Sequence, residues 1–442
     1  MAIRIASSQL ALIEAQWKIK TWNMLDPIFT HRLAISFLLS AAVSTGWTAP
    51  LDTNRIDQIT GLKGAWNATE GVFKVTQPRN EVAVKVDEWR MPPFMGLTSW
   101  AAFQAGKKES AMVMGDFVLF EDEVNPVMSA ALDNGLEVTA LHNHFFHAEP
   151  QVYFMHIGGE GTVEKLAGGV KAALAKMKEI RSANPQPAKS FGGGIPEQNA
   201  ISATPLAASF TATPQVKDGM VKFVFGRVAR MDCGCAVGKE MGVNTWASFG
   251  GTDDNAVVAG DFACQENELQ PVLKSLRGAG IHIVAIHHHM IHETPRYVFL
   301  HYWGRGKAME LAKAIRIARG EQTKAAAAQA RAEGGFKEIN VAEFEKRRAK
   351  KAPVLDVRSP EEFAKGHVTG AINLNIHSPD FAAKAAQFDK MNPILVNCHV
   401  GSRGAIAAAE LARLGFKSVF NLEGGVDAWE KAGHHAETNT TR

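Results

Sequence analysis

The sequence predicts two duplicated α+β units built on antiparallel sheets of split βαβ type, followed by a smaller α/β domain with a parallel sheet. Three observations predict this: an internal repeat through the middle of the chain, the strand–helix–strand–strand–helix order of each copy, and regular strand–helix alternation after residue 336. At 442 residues the chain is too long for one ordinary domain, and 46% hydrophobic and 21% charged residues are those of a globular protein. The formal net charge of +3 and the lack of a Lys/Arg stripe interleaved with aromatics give no expectation of nucleic-acid binding. Four cysteines, Cys233, Cys235, Cys264 and Cys398, are too few for a disulfide-stapled scaffold.

Residues 1–49 are read as processing sequence. After a second candidate start at Met24 come His31 and Arg32, the apolar run LAISFLLSAAVS and the small residues STGWTA, the order of a secretory signal. The run is too short for a stable membrane span. The alternative is a buried helix, isolated ahead of PLDTNRIDQITG. Residues 1–23 are an upstream extension or a misassigned start, and no cysteine stands near the cleavage region to carry a lipid. The expected location of the mature chain is the periplasm or the exterior.

The first copy is expected over 50–185 and the second over 209–318, joined by a Pro/Gly/Ser-rich linker over 186–208. MGLTSWAAF matches MGVNTWASF, GDFVLFEDEVNPV matches GDFACQENELQPV, and LHNHFFHAEPQVYFMHIGGEG matches IHHHMIHETPRYVFLHYWGRG. Each copy then reads as a strand (GDFVLF), a helix (NPVMSAALDNG), two strands (EVTALHNH and QVYFMHIG) and a second helix.

Four histidines recur in register: His142 with His287, His144 with His289, His147 with His292, and His156 with His301. Alternation puts His142 and His144 on one face of a strand, and His156 returns on its neighbour, with His147 and Glu149 in the connection. Neutral imidazoles so arranged suit zinc or copper, and His288 and Glu293 add donors in the second copy. The alternatives are a satisfied polar ladder and a metal-free acid–base or substrate-binding cluster. Cys264 falls opposite Leu119 within a strand and is expected as a small core residue. Cys233 and Cys235, opposite Asp87 and Trp89, belong to the second copy alone. A disulfide across their single glycine would be strained, which leaves a soft metal pair, a bond to Cys264, or free redox-active thiols.

The segments GDFVL, DEVNPV, GLEVTALHNH and EPQVYFMHIGG resemble the LppY/LpqO domain, also called domain of unknown function 1259, over roughly residues 52–318. The resemblance implies an exported bacterial protein, without an established activity. Its members are often lipoproteins, and the missing lipobox cysteine implies a soluble exported form here.

An Ala/Lys/Arg-rich spacer, helical or flexible, is expected over 319–335, and a third domain over 336–442. There a helix leads to the strand PVLDV, a helix capped at Ser359 with Glu362 three residues on, a further strand, PILVN, the loop CHVGSRG, the helix AIAAAELARLGF and the strand SVFNLEGG. A cysteine leaving a strand into a helix N-terminus meets amide N–H groups and the positive end of the helix dipole, so its thiolate is favoured. Gly401 and Gly404 allow a tight turn, and Arg403 is placed to direct a guanidinium at an anion held there. The alternative, a buried inert cysteine, sits poorly in so polar a turn.

LDVRSPEEFAKGHVTGAINL, CHVGSR and NLEGGVDAW, in this order, resemble the rhodanese family of sulfurtransferases over roughly 336–435. The resemblance implies that Cys398 takes a sulfane sulfur from a thiosulfate-like donor as a persulfide and passes it to a thiol or cyanide-like acceptor, with no cofactor. It also implies that loop amides of His399, Val400, Gly401, Ser402 and Arg403 hold the persulfide, and that Asp356, Arg358, Glu362 and His367 are mostly structural. The six residues from Cys398 to Arg403 are the loop length of sulfur transfer; related phosphatases use one residue more. His399 is expected to face solvent.

Overall fold

A computed structural model describes residues 50–438 apart from 193, 195 and 379. The export segment expected over 1–49 lies outside the described residues. Among these, no helix is long and apolar enough to cross a membrane.

The first copy comprises α1 (Thr53–Thr60), β1 (Ala65–Asn67), β2 (Val72–Pro78), β3 (Thr98–Ala105), β4 (Ala111–Phe120), α2 (Glu121–Asp133), β5 (Glu137–His142), β6 (Val152–Gly161) and α3 (Val163–Ala183). The second repeats it as α4 (Ala203–Phe210), β7 (Gln215–Lys217), β8 (Met220–Gly226), β9 (Asn244–Gly251), β10 (Ala256–Cys264), α5 (Glu266–Gly278), β11 (His282–His287), β12 (Val298–Gly306) and α6 (Ala308–Glu333). Buried Val124, Val127, Met128, Ala131 and Leu132 follow helical spacing along α2, and burial alternates along most of β3, so both elements turn one apolar side inward. The copies are not two separate sandwiches. Their strands merge into one 12-stranded antiparallel sheet in the order β1-β2-β3-β4-β6-β5-β11-β12-β10-β9-β8-β7, a palindrome about the β5–β11 junction, over one shared core.

At that junction β5 and β11 pair at Leu141 and Ile286, and each strand carries a bulge where it pairs with its own neighbour. Side-chain amides then complete the ladder. Asn125 of α2 accepts from Ile283 N at 2.7 Å and donates to Ile283 O at 3.1 Å, while Gln270 of α5 does the same for Val138 at 3.1 and 2.9 Å.

A buried carboxylate anchors each copy. Glu123 is fully buried, grips Arg79 through both oxygens at 2.8 and 2.9 Å, and accepts from Phe120 N at 2.9 Å. In the second copy Glu268, also fully buried, grips Arg227 with two bonds of 2.8 Å, accepts from Gln265 N at 2.9 Å, and receives Gln322 of α6 at 3.0 Å.

Helix α4 begins at Ala203, inside the linker expected over 186–208, and of the two forms expected for the spacer over 319–335 the structure has the helical one, through Glu333. Ala318, Gln322, Ala327 and Ala330 are buried along this 26-residue helix, so its small-residue stripe is packed rather than left as tether.

The third domain contains β13 (Lys337–Ile339), α7 (Val341–Ala349), β14 (Val354–Asp356), α8 (Pro360–Lys365), β15 (Ile372–Asn373), α9 (Phe381–Ala385), β16 (Ile394–Asn397), α10 (Ser402–Arg413), β17 (Val419–Leu422) and α11 (Gly425–Lys431). Its sheet, ordered β13-β17-β16-β14-β15, is parallel throughout. Separate apolar clusters cover its faces, one with Phe381, Ala408 and Leu411, the other with Phe344, Val426 and Trp429. Helix α6 packs along α10, and Arg413 meets Glu333 at 2.8 Å.

Candidate functional site

Cys398 follows β16 at the carboxyl end of the parallel sheet, where open α/β sheets hold their ligands, and α10 begins four residues later. Its side chain is buried, whereas His399 and Val400 are exposed. The loop between is pinned from several sides. Val426 N donates to Cys398 O at 2.8 Å, Asp427 N to His399 O at 3.1 Å, and Asn421 Nδ2 to Gly401 O at 3.0 Å. Gly401 has φ 89°, the left-handed region glycine favours. A Cβ on Gly404 would lie 2.1 Å from Asn421 Oδ1, so close approach demands glycine there. Beneath the loop Asn397 donates to Asp356 at 3.1 Å, and Asp356 grips Arg358 at 2.7 to 3.1 Å. His367 hydrogen-bonds Phe363 O at 2.9 Å and stacks on its ring.

The Arg403 guanidinium is held by Glu362 of α8 through two bonds of 2.6 Å, and Cys398 is among the groups that act on its charge. Fork and carboxylate match, so the pair ties α8 to the start of α10, and Glu362 is a positioning residue for the loop. Burial works against the Glu362 charge, but Arg403 more than offsets it and holds the carboxyl down at about 2. Its folded pKa therefore lies below its unfolded value of about 4.3. The stability it contributes is full above the unfolded value and is lost as pH falls toward 2. Acid titration of Glu362→Gln against the parent, followed by circular dichroism, is expected to show a shallower acid transition in the variant; identical transitions would remove the pair from the acid response.

The second copy reaches the pair beside this loop electrostatically. Arg319 of α6 stacks 3.4 Å from the centroid of Phe225 and feels both Arg403 and Glu362 across the domain boundary. Burial and Arg403 lower Arg319 to about 10.

The histidines of the duplicated region gather in two places. In the first copy the rings of His142 and His144 stack 5.1 Å apart at 14°, and His156 lies 5.2 Å from His142. Among the described residues no three ligand atoms of that copy lie within 4.8 Å of one another. In the second copy the corresponding rings tilt by 47°, and His289 Nε2 comes within 3.2 Å of His287 Nε2 and 3.4 Å of Asp261 Oδ2. Among the described residues, Asp261, His287 and His289 are the group whose ligand atoms all lie within 4.8 Å of one another. His301 Nδ1 stands 3.8 Å from Asp261 Oδ2. Burial raises Asp261 to about 7, with the amides of Phe262 and Leu300 pulling the other way, and burial with His301, His289 and His288 lowers His287 to about 4.

His147 and His292 stay out of both clusters. Each takes a left-handed backbone, φ 54° and 67°, and His292 faces Asp232 at 3.8 Å. His288 bonds Tyr297 O at 3.0 Å, and Glu293 accepts from Tyr297 N at 3.1 Å, so both brace the loop instead of joining the cluster. Cys233 and Cys235 are exposed and free, with Cys235 hydrogen-bonding and lowering Cys233, whereas Cys264 is buried beside Gln322. Asp261 was passed over in the sequence, although its GDF segment recurs in both copies. The sheet register supplies what sequence spacing lacks, placing Trp246, Asp261 and His301 side by side as it places Trp100, Asp116 and His156.

A family model described as Domain of Unknown Function (DUF1259) matches residues 54–176 and 204–320, more than half of the chain, and a rhodanese-like domain model matches 340–432. A thiosulfate sulfurtransferase GlpE of Stutzerimonas stutzeri is 39% identical over 95 residues, 21% of this chain and 84% of the relative. The chloroplastic thiosulfate sulfurtransferase 16 of Arabidopsis thaliana is 38% identical over 89 residues, 18% of this chain and 74% of the relative. Among solved structures, a polysulfide-sulfur transferase homodimer of Wolinella succinogenes is similar at 25% identity, covering 26% of this chain and 88% of that one, with a TM-score of 0.23. The Cys398 loop thus lies in a domain related to sulfurtransferases, and the chain belongs to the DUF1259 family, with two copies of that domain followed by a C-terminal rhodanese-like domain.

Proposed function

We propose that the protein is an exported sulfurtransferase that moves sulfane sulfur from a thiosulfate-like donor to a thiol or cyanide-like acceptor through Cys398. The observation that carries this reading is the buried Cys398 on a pinned six-residue loop at the N-terminus of α10, in a domain 39% identical to a thiosulfate sulfurtransferase. The Cys398 thiolate attacks the outer sulfur of thiosulfate, the S–S bond breaks, and sulfite leaves with the electron pair. An acceptor thiolate or cyanide then attacks the terminal sulfur of the persulfide and returns Cys398 as thiolate. Loop amides at the helix N-terminus offset the charge on the persulfide, and no cofactor is required. Intact-mass analysis after incubation with thiosulfate is expected to show one added sulfur atom, localised to Cys398; no adduct with any sulfane donor would reject the reading. Export rests on the order of charge, apolar core and small residues in 24–49, and the N-terminal sequence of protein recovered outside the cytoplasm tests it.

The charge of Arg319, which feels the Arg403–Glu362 pair beside the loop, favours a dianionic donor. Arg319→Ala is expected to raise KM for thiosulfate by roughly three- to tenfold with little change in kcat, because the charge acts on entry rather than on bond breaking. Equal loss in kcat would instead place Arg319 in support of the loop itself.

A second reading, metal or oxyanion binding by the duplicated region, is favoured by the convergence of Asp261, His287 and His289. It concerns a different domain and stands beside the first.

A further inference from the structure

We infer that the second DUF1259 copy alone forms a zinc-type centre, with Asp261, His287 and His289 as ligands and a fourth position open to a cleft that takes a small oxyanion. This rests on the binding reading of the duplicated region and sharpens it to one copy, one ligand set and one ligand class. A tetrahedral ion with bonds of about 2.0–2.1 Å holds its ligand atoms about 3.3 Å apart. The separations of 3.2 Å between the two Nε2 atoms and 3.4 Å from His289 Nε2 to Asp261 Oδ2 bracket that edge. Two imidazoles and a carboxylate with one position left open is the ligand pattern of catalytic rather than structural zinc.

The surroundings support the ligands. His289 Nδ1 faces the carbonyl of Gly242 at 3.4 Å, an arrangement that puts the proton on Nδ1 and leaves the Nε2 lone pair to the metal. Asp261 is buried, and its Oδ1 has no hydrogen-bond partner. His289 also stacks 3.6 Å from the Phe299 ring, which fixes its plane. In the first copy His144 stacks on Phe154 in the same way, but its ring lies nearly parallel to His142, and no three ligand atoms of that copy converge among the described residues.

Asp261 and His289 line a cleft of about 320 Å³ whose other walls include Lys222, Lys239, Asn244 and Trp246. Lys222 lies over the Trp246 ring at 4.6 Å, and Lys239 stands 3.4 Å from Glu240, also in the wall. With a divalent ion in place the cleft is net cationic, and the Lys222 and Lys239 ammoniums in its wall favour an oxyanion there.

The test uses the full chain stripped with chelator and titrated with Co²⁺, followed by visible absorption, with inorganic phosphate as the probe anion. One equivalent of Co²⁺ is expected, with the intense bands of a tetrahedral site. Asp261→Asn or His289→Ala is expected to abolish those bands while sulfur transfer and circular dichroism persist, and His144→Ala to leave them. Phosphate is expected to shift the bands, with roughly tenfold weaker affinity in a Lys222→Ala/Lys239→Ala variant. No Co²⁺ bound anywhere would overturn both this inference and the metal reading. Bands that survive His289→Ala but vanish with His144→Ala, or with Cys233→Ser/Cys235→Ser, would overturn the site while leaving a metal reading. Bands indifferent to phosphate would overturn the cleft assignment.

Discussion

Cys398→Ser is expected to lower thiosulfate-dependent sulfur transfer by at least about a thousandfold and to abolish the sulfur adduct, with the fold unchanged. The substitution is nearly isosteric, and the loop's hydrogen bonds are made by backbone atoms of residues 398, 399 and 401, which serine retains. What disappears is chemistry: a hydroxyl at neutral pH offers almost no oxyanion, and oxygen forms no stable counterpart of a persulfide. The other thiols offer no detour, since Cys264 is buried in the core and Cys233 and Cys235 are exposed in the second DUF1259 copy, outside the loop. Turnover and intact mass on parent and variant decide the matter. A variant retaining more than a few per cent of activity would place the sulfur carrier elsewhere.

Glu268→Ala is expected to destabilise the duplicated region by about 3–5 kcal/mol, the cost of leaving a buried cation unpaired. The carboxylate closes two bonds to Arg227, accepts the Gln265 amide and holds Gln322, so one truncation removes an acceptor shared by donors at β8's end, at the start of α5 and midway along α6. Glu268→Gln keeps part of this network and is expected to lose less. Because α6 also packs along α10, the urea midpoint read from the rhodanese-like domain should fall with that of the DUF1259 copies. An unchanged midpoint would show that the buried pair contributes nothing net, and two separated transitions would show that α6 does not couple the domains.

Much of this was legible in one chain compared with itself. The recurring segments placed β4, α2, β5, β6 and their counterparts, and strand–helix alternation marked the parallel-sheet domain, because apolar periodicity is a local signal. The junction was not legible: Asn125 and Gln270 look like ordinary helix residues until a bulge 158 or 132 positions away leaves a peptide group for each to bind. The spacer was ambiguous because an alanine-rich run is helical only if something covers it, and α10 does. Cys398 was found by its turn, while the Arg403–Glu362 pair, 41 residues apart, needed the fold to bring α8 beside the loop. The histidines stood in perfect register in both copies, so sequence weighed the copies equally; the difference lies in a ring tilt and one carbonyl contact from Gly242, neither of which has a sequence signature.

The reciprocal amide clamps have an evolutionary reading. Asn125 grips the strand of the second copy as Gln270 grips that of the first, which is the rule of an isologous contact: whatever one partner offers, it also receives. The palindromic sheet therefore has the contact pattern of a twofold homodimer interface within a single polypeptide. Covalent fusion releases such a pair from the obligation to stay identical. Each half can keep the contacts that hold its twin while its outer surface drifts, which is how one half can assemble converging ligands and the other can serve as its scaffold.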